Sequence, residues 1–427
     1  MRIENAIVLL FLSKPLIDLS WNKPLLAIAG KNISFLHLTG AGIFVYFGLY
    51  ILRLRGRAPL TRWMLLFLGL NLCSFLYAYL QGITSDVVRF ADLVLRMADS
   101  FLIYHVTFLS RRIHQRGSYF RLFWAVFWGT AVAAAINAAM ILMKLSGLHA
   151  SQGVLRMSGL YHDPGVLSNL ALYNLIFASI LFQTRIRNEG LKLILAAMMC
   201  IDLYLIYSGL SRTVIVQLFF YGTIYLVFIT RGVKRLGIFC FASLVGLGIV
   251  LSGVDFGRFE KRFQTELALI RARTGGDASY EEEYPLGLYE HLGTNRFKMW
   301  IFSLREIRGR DTFELFFGNF KSTPAHCDYI DVLSRNGVVG LAVYLYILLS
   351  LWGKSLHLFL RTRERSREDR IIHGLGFAFI SLYILYGFPF RPLAYTTTAW
   401  YMWAGLGLSL GKEYWVERER SAGNEYG

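Results

Sequence analysis

Charged residues are scarce in this chain of 427 residues, because Asp, Glu, Lys and Arg together make up only 17% of it. Hydrophobic residues make up 55%, which does not fit the surface of water-soluble domains. Cysteines number four, three of them in apolar runs and one alone in a loop, so a disulfide framework and a CxxC metal site are excluded. No internal repeat or low-complexity tract is found. The sequence therefore predicts a membrane protein.

Long apolar segments are what the chain has in abundance. A helix needs about 20 mostly apolar residues to cross the hydrocarbon core of a bilayer. Twelve segments fit this pattern and predict an all-α polytopic membrane protein with about twelve transmembrane helices. The first is the weakest, because Lys14, Pro15 and Asp18 lie within it, and a kinked, re-entrant or signal-like segment is the alternative there. The segments are centred on residues 5–20, 33–52, 63–82, 86–109, 121–143, 165–182, 191–209, 213–229, 236–252, 337–357, 371–388 and 393–411.

The net charge of +17 is spread unevenly over the loops between these segments. Short loops on one side hold twenty Lys and Arg residues, whereas the short loops on the other side hold five. The positive-inside rule makes the richer side cytoplasmic and places both termini there. Most of the basic excess therefore sets the orientation, and it gives no reason to expect nucleic acid as a partner.

One long segment separates the ninth and tenth predicted spans. The predicted division of the chain is residues 1–253 with spans one to nine, an external loop subdomain at 254–336, and residues 337–427 with the last three spans and a cytoplasmic tail. The loop is expected to contain two amphipathic helices, the first ending at Gly275 and Gly276. The second, in "NRFKMWIFSLREIRGRD", has an apolar face for which the bilayer and the helix bundle are the two alternatives, while Arg296, Lys298 and Arg305 point elsewhere. The residues of that apolar face are Phe297, Trp300, Ile301, Leu304 and Ile307.

Three external arginines are unusual, because short external loops are otherwise poor in Arg. They are Arg156 in "LRMSGLYHDPG", Arg212 in "SGLSRT" and Arg296 in "NRFKMW". A guanidinium stays charged and suits bidentate binding of phosphate oxygens, so several converging at the outer surface predict a pyrophosphate clamp. The alternative for each residue alone is a lipid headgroup contact or a snorkelling helix end.

A histidine lies just ahead of the tenth span, in "STPAHCDYIDVLSRNGVVGLAVYLYILL". His326 is a candidate general base for a sugar hydroxyl, with Asp328 or a neighbouring carboxylate orienting its ring. The alternative is an interfacial histidine bonded to backbone. Asp328 also fits the first turn of a short helix that ends at the glycine Gly337, which would give it an ordinary capping role.

A charged stripe runs along one face of the fourth predicted span. Arg89, Asp92, Arg96 and Asp99 are spaced for one helix face, and such residues are expected to face the bundle or a water-filled cavity. The predicted ion pairs are Arg89 with Asp92 and Arg96 with Asp99. A functional site and a purely structural network are equally good interpretations.

Four segments together resemble the superfamily of bacterial O-antigen polymerases and O-antigen ligases, which act on undecaprenyl-pyrophosphate-linked glycans. They are "RMSGLYHDPGVLSNLALY", "SGLSRT", "NRFKMWIFSL" and, most specifically, "AHCDYIDVLSRNGVVGL". The first departs from the family's asparagine-proline form, since it contains His162, Asp163 and Pro164 at that point. The resemblance covers most of the chain, and it implies a GT-C-like fold in the bacterial inner membrane with a periplasmic active site.

Residue roles follow from the resemblance as expectations. It implies that Arg212 and Arg296 grip the pyrophosphate of the donor, that His326 activates the acceptor hydroxyl, and that Arg156 is a third contact. Substrate-binding roles are also expected for Asp328, Arg305 and His162. The reaction in the family is an inverting glycosyl transfer without a metal ion, so neither a metal nor a cofactor is expected.

The resulting expectation is a polymerase that joins lipid-linked repeat units of a surface polysaccharide. Its partners would be the undecaprenyl-pyrophosphate-linked donor, the glycan acceptor and the bilayer, with a chain-length regulator as a further candidate. The nearest alternative is the ligase that transfers the glycan to lipid A-core. A flippase or other transporter that uses the charged stripe belongs to a different class, and a structural scaffold leaves the external arginines and the His326 segment unexplained.

Overall fold

A computed structural model of the chain describes residues 2–19, 24–28, 31–54, 56–115, 118–145, 147–151, 154–161, 163–184, 186, 188–209, 211–225, 296–321, 326–361, 366–393 and 396–424. For Arg156, Arg212 and Arg296 the backbone is described, and the side chains lie outside the described part. His162 also lies outside it, as does the segment 226–295, which includes the ninth predicted span and the first amphipathic helix predicted in the loop.

The described residues form fourteen helices and two short hairpins. The helices are α1 (Ile3–Leu19), α2 (Phe35–Arg53), α3 (Thr61–Leu80), α4 (Val87–Leu109), α5 (Arg111–His114), α6 (Ser118–Leu142), α7 (Pro164–Phe182), α8 (Glu189–Gly209), α9 (Arg212–Ile224), α10 (Arg296–Arg308), α11 (Thr312–Phe317), α12 (Asp328–Arg361), α13 (Arg367–Gly387) and α14 (Thr396–Asn424). The strands are β1 (Pro24–Ile28), β2 (Lys31–Ser34), β3 (Gly147–Ser151) and β4 (Val154–Gly159). Each hairpin is antiparallel, β1 with β2 and β3 with β4, and neither was predicted from the sequence.

Among the described residues, seven helices are long and apolar enough to cross a bilayer, namely α2, α3, α6, α7, α8, α12 and α13. The chain is therefore an all-α polytopic membrane protein, as predicted. Eleven of the twelve predicted segments overlap described helices, and the remaining one, 236–252, lies outside the described residues. The total of twelve spans stays a prediction.

The first predicted span is a helix that packs inside the bundle. Helix α1 continues through Pro15 and packs along α6, where Gly129 lets the two backbones approach closely. Lys14 and Asp18, four residues apart, are buried and form an ion pair. The Lys14 Nζ also lies 4.6 Å from the ring centroid of Trp400 in α14. The charges that weakened the prediction thus face other helices rather than lipid, as intramembrane charges are expected to do.

The helices do not contribute equally to the interior. Residues of α7 and α13 are 89% buried over their most apolar stretches, whereas the corresponding figure for α2 is 22%. Hence α7 and α13 form the centre of the bundle, and α2 lies at its periphery with most of its apolar side chains facing outward. This ordering matters because both central helices have one end close to the candidate site.

One end of the bundle gathers several helix ends. Helix α7 begins there, with the carboxylate of Asp163 accepting from the backbone N–H of Gly165 as its N-cap. The last residue of α8, Gly209, lies against the first turn of α7. The last turn of α13 is also close, since the Asn169 amide donates to the hydroxyl of Tyr386 at 2.8 Å. We call this the site end.

The start of α1 and the end of α14 both lie beside α5, at the end of the bundle opposite the site end. The Glu4 carboxylate of α1 lies 3.7 Å from the Arg112 guanidinium of α5. Near the end of α14, Glu419 lies 3.1 Å from Arg111. Both termini of the described chain are therefore on the same side of the bundle, away from the site end.

Helix α12 is broken at Gly337. Its φ of 65° and ψ of −168° belong to a region that is essentially restricted to glycine. A Cβ at this position would lie 2.3 Å from the backbone carbonyl of Phe316 in α11. The glycine predicted to stop a short helix does so, and a second, longer helix then continues from it. We call residues 328–336 the half-helix.

Substituting Gly337 by Ala is expected to destabilise the protein, because the backbone conformation is strained for alanine and the added Cβ clashes with the Phe316 carbonyl. The strained conformation alone costs about 1–3 kcal/mol. Gly69→Ala in α3 is the matched control, since a Cβ there meets nothing within 4 Å. Thermal melting in detergent should give a clearly lower melting temperature for Gly337→Ala and an unchanged one for the control. Equal melting temperatures for the two variants would contradict the assigned conformation.

Candidate functional site

The last carbonyl groups of the half-helix have no partner within the helix. They accept hydrogen bonds from other segments of the chain. The Arg310 guanidinium donates to the Ser334 carbonyl at 2.5 Å and to the Ser334 hydroxyl at 2.7 Å. The Arg335 carbonyl accepts from the Phe320 N–H at 3.1 Å and from the hydroxyl of Ser74 in α3. A broken helix inside a membrane protein is tolerated only when its freed backbone groups are paired in this way.

Burial lowers the pKa of the Arg310 guanidinium, and the nearby carboxylates of Glu306 and Glu314 oppose that shift. Its two hydrogen bonds to Ser334 therefore hold a charged group in a half-buried position. Such charge-assisted bonds are stronger than neutral ones. Arg310 thus fixes the broken end of the half-helix to the segment between α10 and α11.

Helix α10, the second amphipathic helix predicted in the loop, packs against the half-helix. Ile307 is buried with Cys327 and Ile330, and Trp300 packs against the same cluster. Within the predicted apolar face, Ile307 lies at the contact with the half-helix, whereas Leu304 is 44% exposed. The neighbouring Ser303 is buried.

The carboxylate of Asp331 joins two arginines of different segments. It lies 2.6 Å from the Arg335 guanidinium, one turn further along the half-helix, and 3.5 Å from that of Arg391. Arg89 of α4 lies within electrostatic range of Arg335. The Arg335 guanidinium also lies 5.9 Å from the ring centroid of Phe320. We call Asp331, Arg335, Arg391 and Arg89 the arginine cluster.

Asp328 holds the segment that carries Arg391. Its backbone N–H donates to the Phe390 carbonyl at 3.0 Å, and its carboxylate accepts from the Leu393 N–H at 3.0 Å. The Tyr344 hydroxyl donates to the same carboxylate oxygen at 2.9 Å. Asp328 is 1% exposed, so these contacts describe a residue that positions the 388–393 segment.

His326 lies at the edge of the same site. Its side chain is exposed, and its backbone φ of 47° is in the left-handed region, which is uncommon for a residue other than glycine. The next residue, Cys327, is buried, and this burial raises the pKa of its thiol. The thiol is therefore protonated near neutral pH.

The backbones of Arg212 and Arg156 both lie at the site end, as the contacts of their helix and strand with α7 and α8 indicate. Arg212 is the first residue of α9, which follows α8 just after the contact of Gly209 with α7. Arg156 lies in β4, opposite His149, and β4 packs against α6, α7 and α8. The half-helix contacts the same end of the bundle through α13, because the Tyr329 hydroxyl donates at 2.7 Å to the Ile384 carbonyl near the end of that helix.

The remaining predicted residues differ in their relation to the half-helix. Arg296 is the first residue of α10, one turn before Trp300, so its backbone lies beside the half-helix. Arg305 is exposed on α10 and has no described contact with the arginine cluster. Asp163, whose role the sequence left in doubt, is the N-cap of α7. His162 lies outside the described residues.

The charged stripe of α4 is paired differently from the prediction. The Arg96 guanidinium reaches back one turn to Asp92, at 2.7 and 2.8 Å, rather than forward to Asp99. His37 of α2 lies 3.4 Å from the same carboxylate and thus favours this pairing. Asp99 is buried against Gly40 of α2. The stripe therefore lies between α2 and α4, with Arg89 at its end beside the arginine cluster.

Sequence reasoning missed the roles of Arg335 and Arg391. Arg391 was counted among the few basic residues of the external loops, and Arg335 lies in the same segment as His326. Lys and Arg are scarce in the predicted external loops, so each arginine there is expected to have an acidic or anionic partner. This scarcity is a signal that the sequence alone contains. The pairing itself was hidden, since the two residues are far apart in the sequence.

No group of three or more His, Cys, Asp or Glu side chains that could hold a metal ion occurs in the part of the chain that the structure describes. No protein-family model matches the chain, and no curated protein matches it either. The resemblance to O-antigen polymerases and ligases therefore remains an inference from the four quoted segments. What the structure adds is the arrangement of those segments at the site end.

Asp328→Ala is expected to release the 388–393 segment, because it leaves the Leu393 N–H and the Tyr344 hydroxyl without their acceptor. Leaving buried donors unpaired costs about 1–3 kcal/mol for each of them. Asp328→Asn keeps one carbonyl oxygen and should be affected less. Hydrogen exchange of the 388–393 amides should be fastest for Ala, intermediate for Asn and slowest for the unmodified protein. Identical exchange in all three would contradict the positioning role.

Proposed function

We propose that this protein is a glycosyltransferase that polymerises a bacterial surface polysaccharide, such as an O-antigen or exopolysaccharide. It would transfer an undecaprenyl-pyrophosphate-linked glycan to the non-reducing-end hydroxyl of another lipid-linked repeat unit. The observation that supports the proposal is the chain of contacts that links the backbones of four segments at the site end. The segments are those of Arg156, Arg212, Arg296 and His326, which the sequence singled out for separate reasons.

The proposal includes a topology. Twelve helices cross the bacterial inner membrane, both termini are cytoplasmic, and the site end faces the periplasm. This orientation is supported by the excess of Lys and Arg in the short loops opposite the site end. Residues 254–336 then form a periplasmic subdomain over the site, and the packing of α10 and α11 on the half-helix is consistent with such a cover.

The proposed chemistry is an inverting displacement at the anomeric carbon of the donor. The acceptor hydroxyl attacks that carbon while its proton passes to the imidazole of His326. The bond between the anomeric carbon and the pyrophosphate oxygen breaks, and its electron pair leaves with undecaprenyl pyrophosphate. Because the leaving group is already a good one, the protein must mainly align the reactants, accept the proton and neutralise the developing negative charge.

Residues of the chain divide these tasks in the proposal. Arg212 and Arg296 neutralise the departing pyrophosphate, and Arg156 is a third contact. His326 is the general base, and its exposed side chain at the edge of the half-helix is consistent with access to a hydroxyl. Asp328 acts indirectly, since its carboxylate holds the Arg391 segment. Arg305 and His162 are outer contacts to the glycan.

The second candidate is the ligase that transfers the glycan to lipid A-core. Donor and chemistry are the same in the two reactions, and the difference lies in the pocket for the acceptor. The external subdomain, most of which lies outside the described residues, is where such a pocket would be built.

Deletion of the gene separates the polymerase from the ligase, because the two losses leave different glycans behind. Loss of a polymerase is expected to leave lipopolysaccharide capped by a single repeat unit, with long chains absent. Electrophoresis of extracted lipopolysaccharide and of undecaprenyl-linked glycans measures both pools. Accumulation of long undecaprenyl-linked chains would contradict the polymerase and indicate the ligase.

Substituting His326 or Arg212 by Ala is expected to abolish polymer formation by purified protein supplied with lipid-linked repeat units. Loss of a general base lowers a rate by about 10²- to 10⁴-fold, and loss of an arginine that neutralises a leaving group has an effect of about 10²- to 10³-fold. Arg308→Ala is the control, because Arg308 is an exposed cation at the end of α10. Gel analysis of the glycan product and melting temperatures should be recorded for every variant.

Two outcomes would reject this assignment. Unchanged polymer formation in both His326→Ala and Arg212→Ala would contradict the catalytic roles. Absence of polymer even from the unmodified protein, together with movement of lipid-linked units across a reconstituted bilayer, would favour a flippase. In that case the intramembrane network of His37, Asp92 and Arg96 would be the first place to examine for a substrate path.

A further inference from the structure

We propose that α11 is an interfacial membrane anchor, whose phenylalanine rings lie among the lipid chains of the leaflet at the site end. For the amphipathic helix predicted just before it, the bilayer and the bundle are the two alternatives. That helix, α10, packs on the half-helix through Ile307, whereas α11 presents an apolar face outward. The inference is independent of the glycosyl transfer proposed above, because it concerns only how this segment meets the membrane.

The apolar face of α11 consists of three phenylalanines. Phe313, Phe316 and Phe317 are spaced i, i+3 and i+4, which places them on one side of a helix. They are 49%, 47% and 43% exposed, and the ring centroids of Phe313 and Phe317 lie 5.1 Å apart. Leu315 packs instead on the cluster around Ile307. The helix is thus attached to the protein through Leu315 and leaves its three rings exposed.

The exposed rings continue a surface that faces lipid. Helix α3 has 20 residues, so its length of about 30 Å matches the hydrocarbon core of a bilayer. Exposed apolar side chains occur along the whole of it, from Leu65 and Leu66 to Tyr79 and Leu80 at the end beside the half-helix. Because only 33% of its most apolar stretch is buried, the remaining side chains of α3 contact lipid chains in a membrane.

Two ring contacts hold α11 at this end of α3. The ring centroid of Phe313 lies 4.8 Å from that of Tyr77, which is one turn, or about 5 Å, before the last residue of α3. Phe320, just after α11, packs edge-on against Phe75 at 5.4 Å. Helix α11 therefore lies at the boundary between the hydrocarbon core and the headgroups, where aromatic side chains are enriched.

The two carboxylates at the start of α11 have hydrogen-bond partners within the protein. Asp311 is the N-cap, and its carboxylate accepts from the Glu314 N–H at 2.8 Å. The Glu314 carboxylate accepts from the side-chain amide of Asn319 at 3.0 Å. Acidic groups that are held in this way do not have to enter the bilayer together with the rings. An apolar face beside a hydrogen-bonded polar face is the pattern of a helix that lies in the membrane interface.

Anchoring of α11 also fixes the depth of the half-helix. A Cβ at Gly318, the C-cap of α11, would overlap the backbone carbonyl of Arg335. A Cβ at Gly337 would overlap that of Phe316. The two backbones therefore touch on both sides of the break, and close-packed segments of this kind cannot shift independently. The depth of α11 in the leaflet thus sets the depth at which the half-helix is held.

Photo-crosslinking of the full chain in phosphatidylcholine nanodiscs tests the proposal. The phenylalanine analogue p-benzoylphenylalanine is placed singly at Phe313, Phe316 or Phe317, and mass spectrometry identifies the adducts after irradiation. We expect the mass of one phosphatidylcholine on the peptide of each site. Leu72, which is 46% exposed in the middle of α3, is the positive control. Arg308, the exposed cation at the end of α10, is the negative control.

Four outcomes would overturn the proposal. The first is an absence of lipid adducts at all three phenylalanines while the adduct at Leu72 forms. Cross-links to residues 226–295 would show that another segment of the chain covers the face, and a cross-linked dimer would show that a second copy does. Loss of the adducts on addition of undecaprenyl diphosphate would assign the face to a polyprenyl chain rather than to the bilayer.

Hydrogen exchange gives an independent measurement. Within the part of the chain that the structure describes, Phe316 has no ring contact, so its substitution leaves the aromatic packing intact. Phe316→Gln should speed exchange of the 312–317 and 328–336 amides in nanodiscs by about tenfold, because the anchor is weakened. Phe316→Leu, which stays apolar, should behave like the unmodified protein. Unchanged exchange in Phe316→Gln, or equal acceleration in both variants, would contradict the anchor.

Discussion

The break of α12 at Gly337 is the constraint on which the candidate site depends. A helix that stops inside the protein frees carbonyl groups, and these must be paired because a buried backbone group without a hydrogen bond is costly. Arg310, Ser74 and the backbone of Phe320 supply the pairing, and each comes from a different segment. Satisfying the broken end therefore also fixes α10, α11 and α3 around the half-helix.

The position of the charged groups follows from the same break. Because the half-helix ends at Asn336, Asp331 and Arg335 stay on one short, anchored segment. Asp328 at its start ties down residues 388–393, so Arg391 is brought to Asp331 by backbone contacts. His326 precedes the same segment. His326 and the arginine cluster are thus placed by one structural element.

The sequence was sufficient for features that depend on local pattern. Apolar length located eleven described helices, and the glycine after "VLSRN" predicted where the half-helix ends. Features that depend on tertiary contact were not accessible. Spacing allows Arg96 to pair with Asp92 or Asp99, and the observed pair is with Asp92, which also lies close to His37 on a neighbouring helix. Likewise, the contact of Arg391 with Asp331 joins distant segments, and the two hairpins are too short to give a periodic signal.

In the proposed function, Arg212, Arg296 and His326 act on one lipid-linked donor at the site end. A structure of the full chain with a bound undecaprenyl-pyrophosphate-linked repeat unit tests this directly. We expect the pyrophosphate within hydrogen-bonding distance of the Arg212 and Arg296 guanidinium groups, with the imidazole of His326 facing the anomeric carbon across a space that fits one hydroxyl. A pyrophosphate bound away from both arginines, or a His326 ring turned away from the sugar, would contradict it.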